Sequence, residues 1–165
     1  MPKMLFDFAD PNAVHAWHAI DDRVMGGISR SPLRSDPAGH AVFTGEVSLE
    51  RNGGFASVRS SPGGWGHVDA QACVIEVRGD PRQFKLSLLI DDGFDSVNYQ
   101  ASFATDTRHW QTISLPISSF RARFRGRDVP SAPALDPARV RQVGLMIVGR
   151  QAGPFAIDIR CIGLA

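Results

Sequence analysis

The stretch AVFTGEVSLERNGGFASVRS, residues 41–60, decides the fold class that the sequence predicts. Over residues 41–49, apolar side chains such as Phe43 alternate with polar ones, and a period of two residues is typical of a β-strand. Asn52 and Gly53 both tolerate the positive φ angles of a tight turn. Residues 54–60 then resume the strand pattern. The stretch therefore predicts a β-hairpin between two strands.

The same alternation recurs along most of the chain, with turn residues at short intervals. A short amphipathic helix is predicted over 11–18, because Asp10 suits the N-cap and Pro11 the first helical position. Asp136-Pro137 repeats this device near the other end. Many strands without a long helix favour a single all-β domain, residues 1–165, built as a β-sandwich. The other predicted strands cover 72–79, 84–91, 98–105, 110–117, 143–149 and 155–164.

Composition narrows the class of protein further. The chain has 165 residues, 43% hydrophobic content and a formal net charge of +1, so it carries no overall field that would recruit nucleic acid. Its two cysteines, Cys73 and Cys161, are expected to be reduced, buried thiols. The apolar runs are too short for a transmembrane helix, and residues 1–14 lack the features of a secretory or transit peptide. We expect a cytoplasmic protein that does not span a membrane.

Two runs near the N-terminus carry a family resemblance. The first is Trp17 followed by DDRVMGGISRS over residues 21–31, and the second lies within residues 43–59. Weaker matches continue to about residue 162. Together they resemble the complex I intermediate-associated protein 30 family, in particular its compact bacterial-type members. The resemblance implies a galactose-binding-domain-like jelly roll and, for the mitochondrial members, a non-catalytic, chaperone-like role in assembling respiratory complex I.

The VMGGISRS segment, residues 24–31, is interpreted as a structural turn. It lacks the lysine of a P-loop and the βαβ context of a dinucleotide site, so phosphate binding is not predicted. Glycines let the backbone turn sharply here, and the preceding Asp-Asp-Arg is expected to pair with strand arginines such as Arg59. We predict a protein-binding surface, with complex I subunits or intermediates as partners. Its predicted residues are Asp22, Arg23, Met25, Arg59, Trp65, Tyr99 and Gln100, above the structural turn of Gly26 and Gly27.

A carbohydrate-binding module of the same fold is the alternative. Trp65 lies in a glycine-rich loop, and Tyr99 is flanked by Asn98 and Gln100, so either ring could form a sugar platform. Sugar binding predicts that Trp65 or Tyr99 is exposed to solvent beside unpaired Asp and Asn side chains. Protein binding instead predicts a wider apolar patch ringed by charge, which could include the arginines of residues 120–127. Trp65 could also plug one end of the sandwich, since tryptophan is usually buried.

The remaining chemical motifs predict no catalytic, metal or cofactor site. Asp91-Asp92-Gly93 could ligate calcium but is also a common turn sequence. His15 and His18 are three residues apart, yet neither has the further ligands that zinc requires. We find no hydrolytic triad and no facing pair of carboxylates, so we expect no enzyme activity. The arginines in FRARFRGR, residues 120–127, could contact RNA or an acidic protein; we favour a surface loop with its phenylalanines turned inward.

Overall fold

In a computed structural model, the described residues are 3–19, 33–47, 56–79, 81–93, 96–105, 109–124, 127–147 and 153–165. They form two antiparallel sheets and three short 3-10 helices, Pro11–Ala16, Ile117–Ser119 and Pro137–Arg139. In this part of the chain no helix has the length and apolar character needed to cross a membrane. The strands are β1 (Lys3–Asp7), β2 (Trp17–Ala19), β3 (Leu33–Asp36), β4 (His40–Val47), β5 (Ala56–Ser60), β6 (Ala72–Gly79), β7 (Gln83–Leu89), β8 (Asn98–Ala104), β9 (Gln111–Pro116), β10 (Arg121–Phe124), β11 (Arg127–Asp128), β12 (Gln142–Ile147) and β13 (Gly153–Leu164).

The two sheets pack face to face, which confirms the predicted jelly-roll sandwich. Among the described strands, the six-stranded sheet has the order β3-β4-β13-β6-β9, with β1 also paired to β13. The seven-stranded sheet has the order β11-β10-β8-β7-β12-β5-β2. Alternate residues of each strand point into the core, where Phe155 of one sheet contacts Phe84 of the other with ring centroids 6.3 Å apart.

Most consecutive strands lie in opposite sheets, and this overturns the predicted hairpin. β4 pairs with β13, from Val47 opposite Gly153 to Ala41 opposite Ile159, whereas β5 pairs with β12 and β2. A turn sequence can end a strand, but it cannot choose between an adjacent strand and a longer ladder elsewhere. The hairpin that β4 does form is with β3, through a turn in which Gly39 has φ +94°. Asn52 and Gly53 lie outside the described residues.

Two other predictions about local structure need correction. Residues 11–16 form a 3-10 helix capped by the Asp10 carboxylate, which accepts a hydrogen bond from the Asn12 amide at 2.9 Å. Trp17 is not part of this helix, because its backbone is extended and pairs with Ser60 in the seven-stranded sheet. The arginine-rich segment includes strands β10 and β11 rather than only a loop, and its Phe124 is 37% exposed. Its other ring, Phe120, is buried as expected.

The glycine-rich loop after β5 is fixed at both of its sides. The Lys3 ammonium donates to the carbonyl oxygens of Gly64 and Gly66, each at 2.9 Å. On the other side, the His67 amide donates to the Pro137 carbonyl at 2.9 Å. Gly66 lies so close to the 137–139 helix that a Cβ atom there would be 2.1 Å from the Ala138 carbonyl oxygen. The loop is therefore a packed part of the sandwich end.

Gly66→Ala is expected to destabilise the protein by about 2 kcal/mol, because the new methyl group would collide with backbone that must move. Gly64→Ala is the matched control, since a Cβ atom at Gly64 meets nothing within 4 Å, and we expect a change within about 0.5 kcal/mol. Urea unfolding of both variants measures the difference. Equal stability of the two variants would contradict this close packing.

The core thiol makes stability depend on pH. Cys73 is fully buried, and burial raises its pKa from 9.0 to about 12. The unfolded thiol ionises first as the pH rises, so above about pH 9 ionisation stabilises only the unfolded state. We expect the wild type to lose roughly 1 kcal/mol more stability than Cys73→Ala between pH 8 and pH 10. Urea unfolding at the two pH values tests this, and identical pH dependence in both proteins would refute it.

Candidate binding face

One row of residues crosses six strands of the seven-stranded sheet and points away from the core. The ladder registers place its members opposite one another, strand by strand. The neighbouring row, which includes Val58, Leu145 and Leu86, points inward and is buried, as the strand alternation requires. We call the outward surface of this sheet the seven-strand face. Its central row is His18, Arg59, Gly144, Ser87, Gln100 and Arg121.

The residues at the centre of this row have short side chains, and those on either side have long ones. Gly144 has no side chain, and a Cβ atom there would already be 3.3 Å from the Val58 carbonyl oxygen. Next to it, the short side chain of Ser87 is 3% exposed. The long side chains of Arg59 and Gln100 stand on the neighbouring strands β5 and β8. The face is therefore a shallow trough with polar walls.

The described strand positions of the seven-strand face carry more positive than negative charge. Arg59, Lys85, Arg121 and Arg123 all point outward, and Asp128 is opposite Arg123, with 3.0 Å between its Oδ1 and the arginine Nη1. Burial lowers the pKa of Lys85, and repulsion from Arg123 lowers it further, against the opposing effect of Asp128. Arg123 and Asp128 thus act on this lysine in opposite directions.

The outward surface of the six-stranded sheet is organised differently. There, Arg78 donates two hydrogen bonds to Asp158, at 2.8 and 3.0 Å, and Arg160 pairs with Glu76. The Trp110 ring contacts both guanidinium groups, which lie 4.7 and 3.9 Å from its centroid. Each of these two arginines is matched by a carboxylate, whereas Arg34 on β3 of the same sheet is exposed.

Of the residues predicted for the working surface, two are on the seven-strand face. Arg59 and Gln100 lie in the same row, with β12 and β7 between them. Asp22, Arg23, Met25, Gly26 and Gly27 lie outside the described residues, so their roles stay predictions.

The two aromatic residues predicted for the surface have structural contacts. Tyr99 points into the core, is 2% exposed, and donates from its hydroxyl to the Pro133 carbonyl oxygen at 2.8 Å. It therefore supports the sheet from within and does not line its surface. Trp65 is half-buried and packs against Phe6 with ring centroids 4.7 Å apart, while its indole N–H reaches the Ser61 carbonyl oxygen at 3.3 Å. Trp65 therefore packs at one end of the sandwich, which is the alternative that the sequence suggested for it.

The carboxylates considered for calcium are used by the protein itself. Asp92 forms a two-point ion pair with Arg141, at 2.8 and 3.2 Å, and this hydrogen bonding lowers the pKa of Asp92. Asp91 accepts a hydrogen bond from the Gly93 amide at 3.0 Å, and Gln142 donates to the Asp91 and Gly93 carbonyl oxygens. Within the described ranges, no group of three metal-ligating side chains is assembled.

Sequence reasoning did not single out Lys85, Ser87 or Gly144. A weak signal existed, because Ser87 and Gly144 are small residues inside otherwise apolar strands, a pattern that indicates close approach or a depression in a sheet. Their neighbourhood depends on register between strands far apart in sequence. Lys85 looks like an ordinary solvent-facing residue until that register is known.

Trp65→Ala is expected to destabilise the protein by about 2 kcal/mol, because it removes a half-buried ring from the Phe6 contact. Val68→Ala, in the same loop and 72% exposed, is the control and should change stability by less than about 0.5 kcal/mol. Thermal and urea unfolding measure both. A neutral Trp65→Ala would show that the ring does not stabilise the fold.

Solved structures define the general class of fold. The family 11 carbohydrate-binding module of the cellulosomal cellulase Lic26A-Cel5E from Clostridium thermocellum superposes with a TM-score of 0.71 and 20% identity, covering 99% of this chain and 94% of that one. The same family 11 module in complex with a β-1,3-1,4-mixed-linked tetrasaccharide gives 0.71 and 21%. At such identities the likeness establishes the jelly-roll fold alone.

The family is established by sequence. The model of the complex I intermediate-associated protein 30 family matches residues 6–159, and the chain belongs to that family. An uncharacterized protein of Schizosaccharomyces pombe is 28% identical, covering 96% of this chain and 83% of the relative. The mitochondrial complex I intermediate-associated protein 30 of Mus musculus is 25% identical, covering 98% of this chain and 56% of the mouse protein. The chain thus spans little more than half of that mouse relative.

Proposed function

We propose that this protein is a non-catalytic, protein-binding assembly factor that acts on intermediates of respiratory complex I. The observation that carries the proposal is the family match over residues 6–159, together with the mouse relative that bears the complex I name. The resemblance found in residues 17–31 and 43–59 pointed the same way.

The arrangement of charged groups supports binding as the mode of action. Several arginines form ion pairs with nearby carboxylates and so stabilise the fold. Examples are Arg78 with Asp158 on the six-stranded sheet and Arg141 with Asp92 at a strand end. The seven-strand face instead carries the half-buried Gln100 and the exposed Arg121, and its described central row is polar rather than the apolar patch that protein binding predicted. An extended polar surface with rim charges is the kind that recognises another macromolecule.

Carbohydrate binding is the second candidate, favoured by the fold shared with the family 11 modules. From the sequence, sugar binding predicted that the ring of Trp65 or Tyr99 is exposed to solvent. Tyr99 is in the core and Trp65 packs on Phe6, so these two rings support the sandwich instead of offering a sugar platform. The protein-binding proposal does not depend on either ring.

Two serines allow a matched steric test of the proposal. Ser102 is exposed on the seven-strand face, and Ser114 is exposed on the outward surface of the six-stranded sheet. Tagged wild type, Ser102→Trp and Ser114→Trp would be used to capture proteins from detergent-solubilised membranes of the source cells, with identification by mass spectrometry. We expect complex I subunits with wild type and Ser114→Trp, and loss of most of that signal with Ser102→Trp.

A parallel gel-retardation assay with β-1,3-1,4-glucan addresses the second candidate. Retardation of the wild type by the glucan, together with no enrichment of complex I subunits, would overturn the assembly proposal in favour of sugar binding. Absence of complex I subunits from every capture would also contradict it. Unfolding midpoints of the two tryptophan variants show whether each is folded.

A further inference from the structure

We propose that the seven-strand face binds an extended, acidic segment of a partner protein, with Lys85 and Arg121 holding its carboxylates and Gln100 bonding its backbone. The inference rests on the proposed function only for the identity of the partner, a complex I assembly intermediate. The choice of face and the chemistry of the ligand come from charge and register.

Charge selects the face. The whole chain has a net charge of only +1, yet its cations are distributed unevenly between the two outward surfaces. On the six-stranded sheet, Arg78 and Arg160 are each matched to a carboxylate. On the seven-strand face, Arg121 and Lys85 project from β10 and β7, and the described strand positions hold more cations than carboxylates, with Asp128 paired to Arg123. A negatively charged ligand complements this excess of cations.

Spacing selects the type of anion. Arg121 is opposite Gln100, and Lys85 is opposite Ser102 two residues further along β8. Two strand spacings and one two-residue step separate the Cα atoms of Arg121 and Lys85 by about 12 Å. A single carboxylate or a free phosphate is too small to contact both cations at this separation. An extended peptide covers the distance in about four residues. Because side chains of an extended chain alternate sides, two acidic residues four positions apart suit these cations.

The centre of the trough fits a peptide backbone. Gln100 stands between the two cations, next to Arg121 across the ladder, and its amide can donate and accept a hydrogen bond at once. The short Ser87 and the bare Gly144 leave a depression beside it. An extended chain fits a shallow depression better than a helix would. Arginine also binds a carboxylate with two parallel hydrogen bonds, which favours Asp or Glu over neutral side chains.

RNA is the competing anionic ligand for an arginine-rich surface. Single-stranded RNA is held by bases stacked on exposed rings as well as by cations. Among the described outward strand positions of the seven-strand face, the one aromatic ring is the imidazole of His18, five strands away from Arg121. In the arginine-rich segment, Phe120 is 7% exposed, and Phe124, at 37%, alternates with Arg121 and Arg123 and so lies on the other side of β10. The pattern of side chains therefore favours an acidic protein segment.

A displayed library of random eight-residue peptides provides the direct test. It would be selected on immobilised wild type, Arg121→Glu, Lys85→Gln and Arg34→Glu. Arg34 is an exposed arginine on β3 of the other sheet, so its reversal changes net charge equally and leaves the seven-strand face intact. We expect wild type and Arg34→Glu to enrich peptides with two acidic residues four positions apart.

Binding strength would then be measured by fluorescence anisotropy with the most enriched peptide. We expect Arg121→Glu to weaken it at least tenfold and Lys85→Gln severalfold, with Arg34→Glu close to wild type. Enrichment of neutral or basic peptides, no enrichment, or equal affinity for Arg121→Glu and wild type would each overturn the inference. So would tighter binding of a twelve-nucleotide uridine RNA than of the peptide. Unfolding midpoints verify that each variant is folded.

The capture experiment separates this inference from the proposed function. If Arg121→Glu captures complex I subunits as well as wild type does, the seven-strand face is not the surface that binds them, and the assembly role stands. If the wild type binds acidic peptides but captures no complex I subunit, the face is right and the assembly role fails.

Discussion

The twelve-residue strand β13 is the constraint on which the rest of the structure depends. It pairs with β4 and β1 on one side and with β6 on the other, so it joins three strands that are far apart in sequence. Its register shifts between Ile159 and Cys161, and the Phe8 amide donates to the Arg160 carbonyl oxygen at this point. Such a bulge bends a strand, and here it accompanies the change of partner from β4 to β1.

This register also determines the character of the two outward surfaces. It brings Arg78 opposite Asp158 and leaves Arg160 beside Glu76, so these four charged groups of the six-stranded sheet form two pairs around Trp110. The seven-stranded sheet has a row of small and polar residues at its centre and cations toward its edge. A sandwich of two sheets can present distinct chemistry on each face, because strand alternation gives every sheet one surface free of the core.

Much of the fold could be predicted from the sequence because its strands are amphipathic. The strand over residues 72–79 was predicted with its observed bounds, and the Asp10 and Asp136 caps form as expected. The pairing of strands could not be predicted in the same way. The Asn52-Gly53 turn indicated a hairpin, yet β4 and β5 belong to different sheets, since long ladders outweigh a favourable turn. Trp17 was assigned to a helix because its three-residue spacing from Val14 suits one, yet its backbone is extended and pairs with Ser60 of β5.

The sequence by itself determined the family, the all-β class and the inward faces of the main strands, because these follow from local patterns and a long motif. Only the tertiary structure decided which polar residues share a surface. Arg59 and Gln100 are forty-one positions apart, and β12 and β7 must pair between them before they form one row. Likewise, the position of Tyr99 one residue before Gln100 puts its ring on the opposite, buried face. Strand alternation is local, but the register that assembles a binding face comes from long-range pairing.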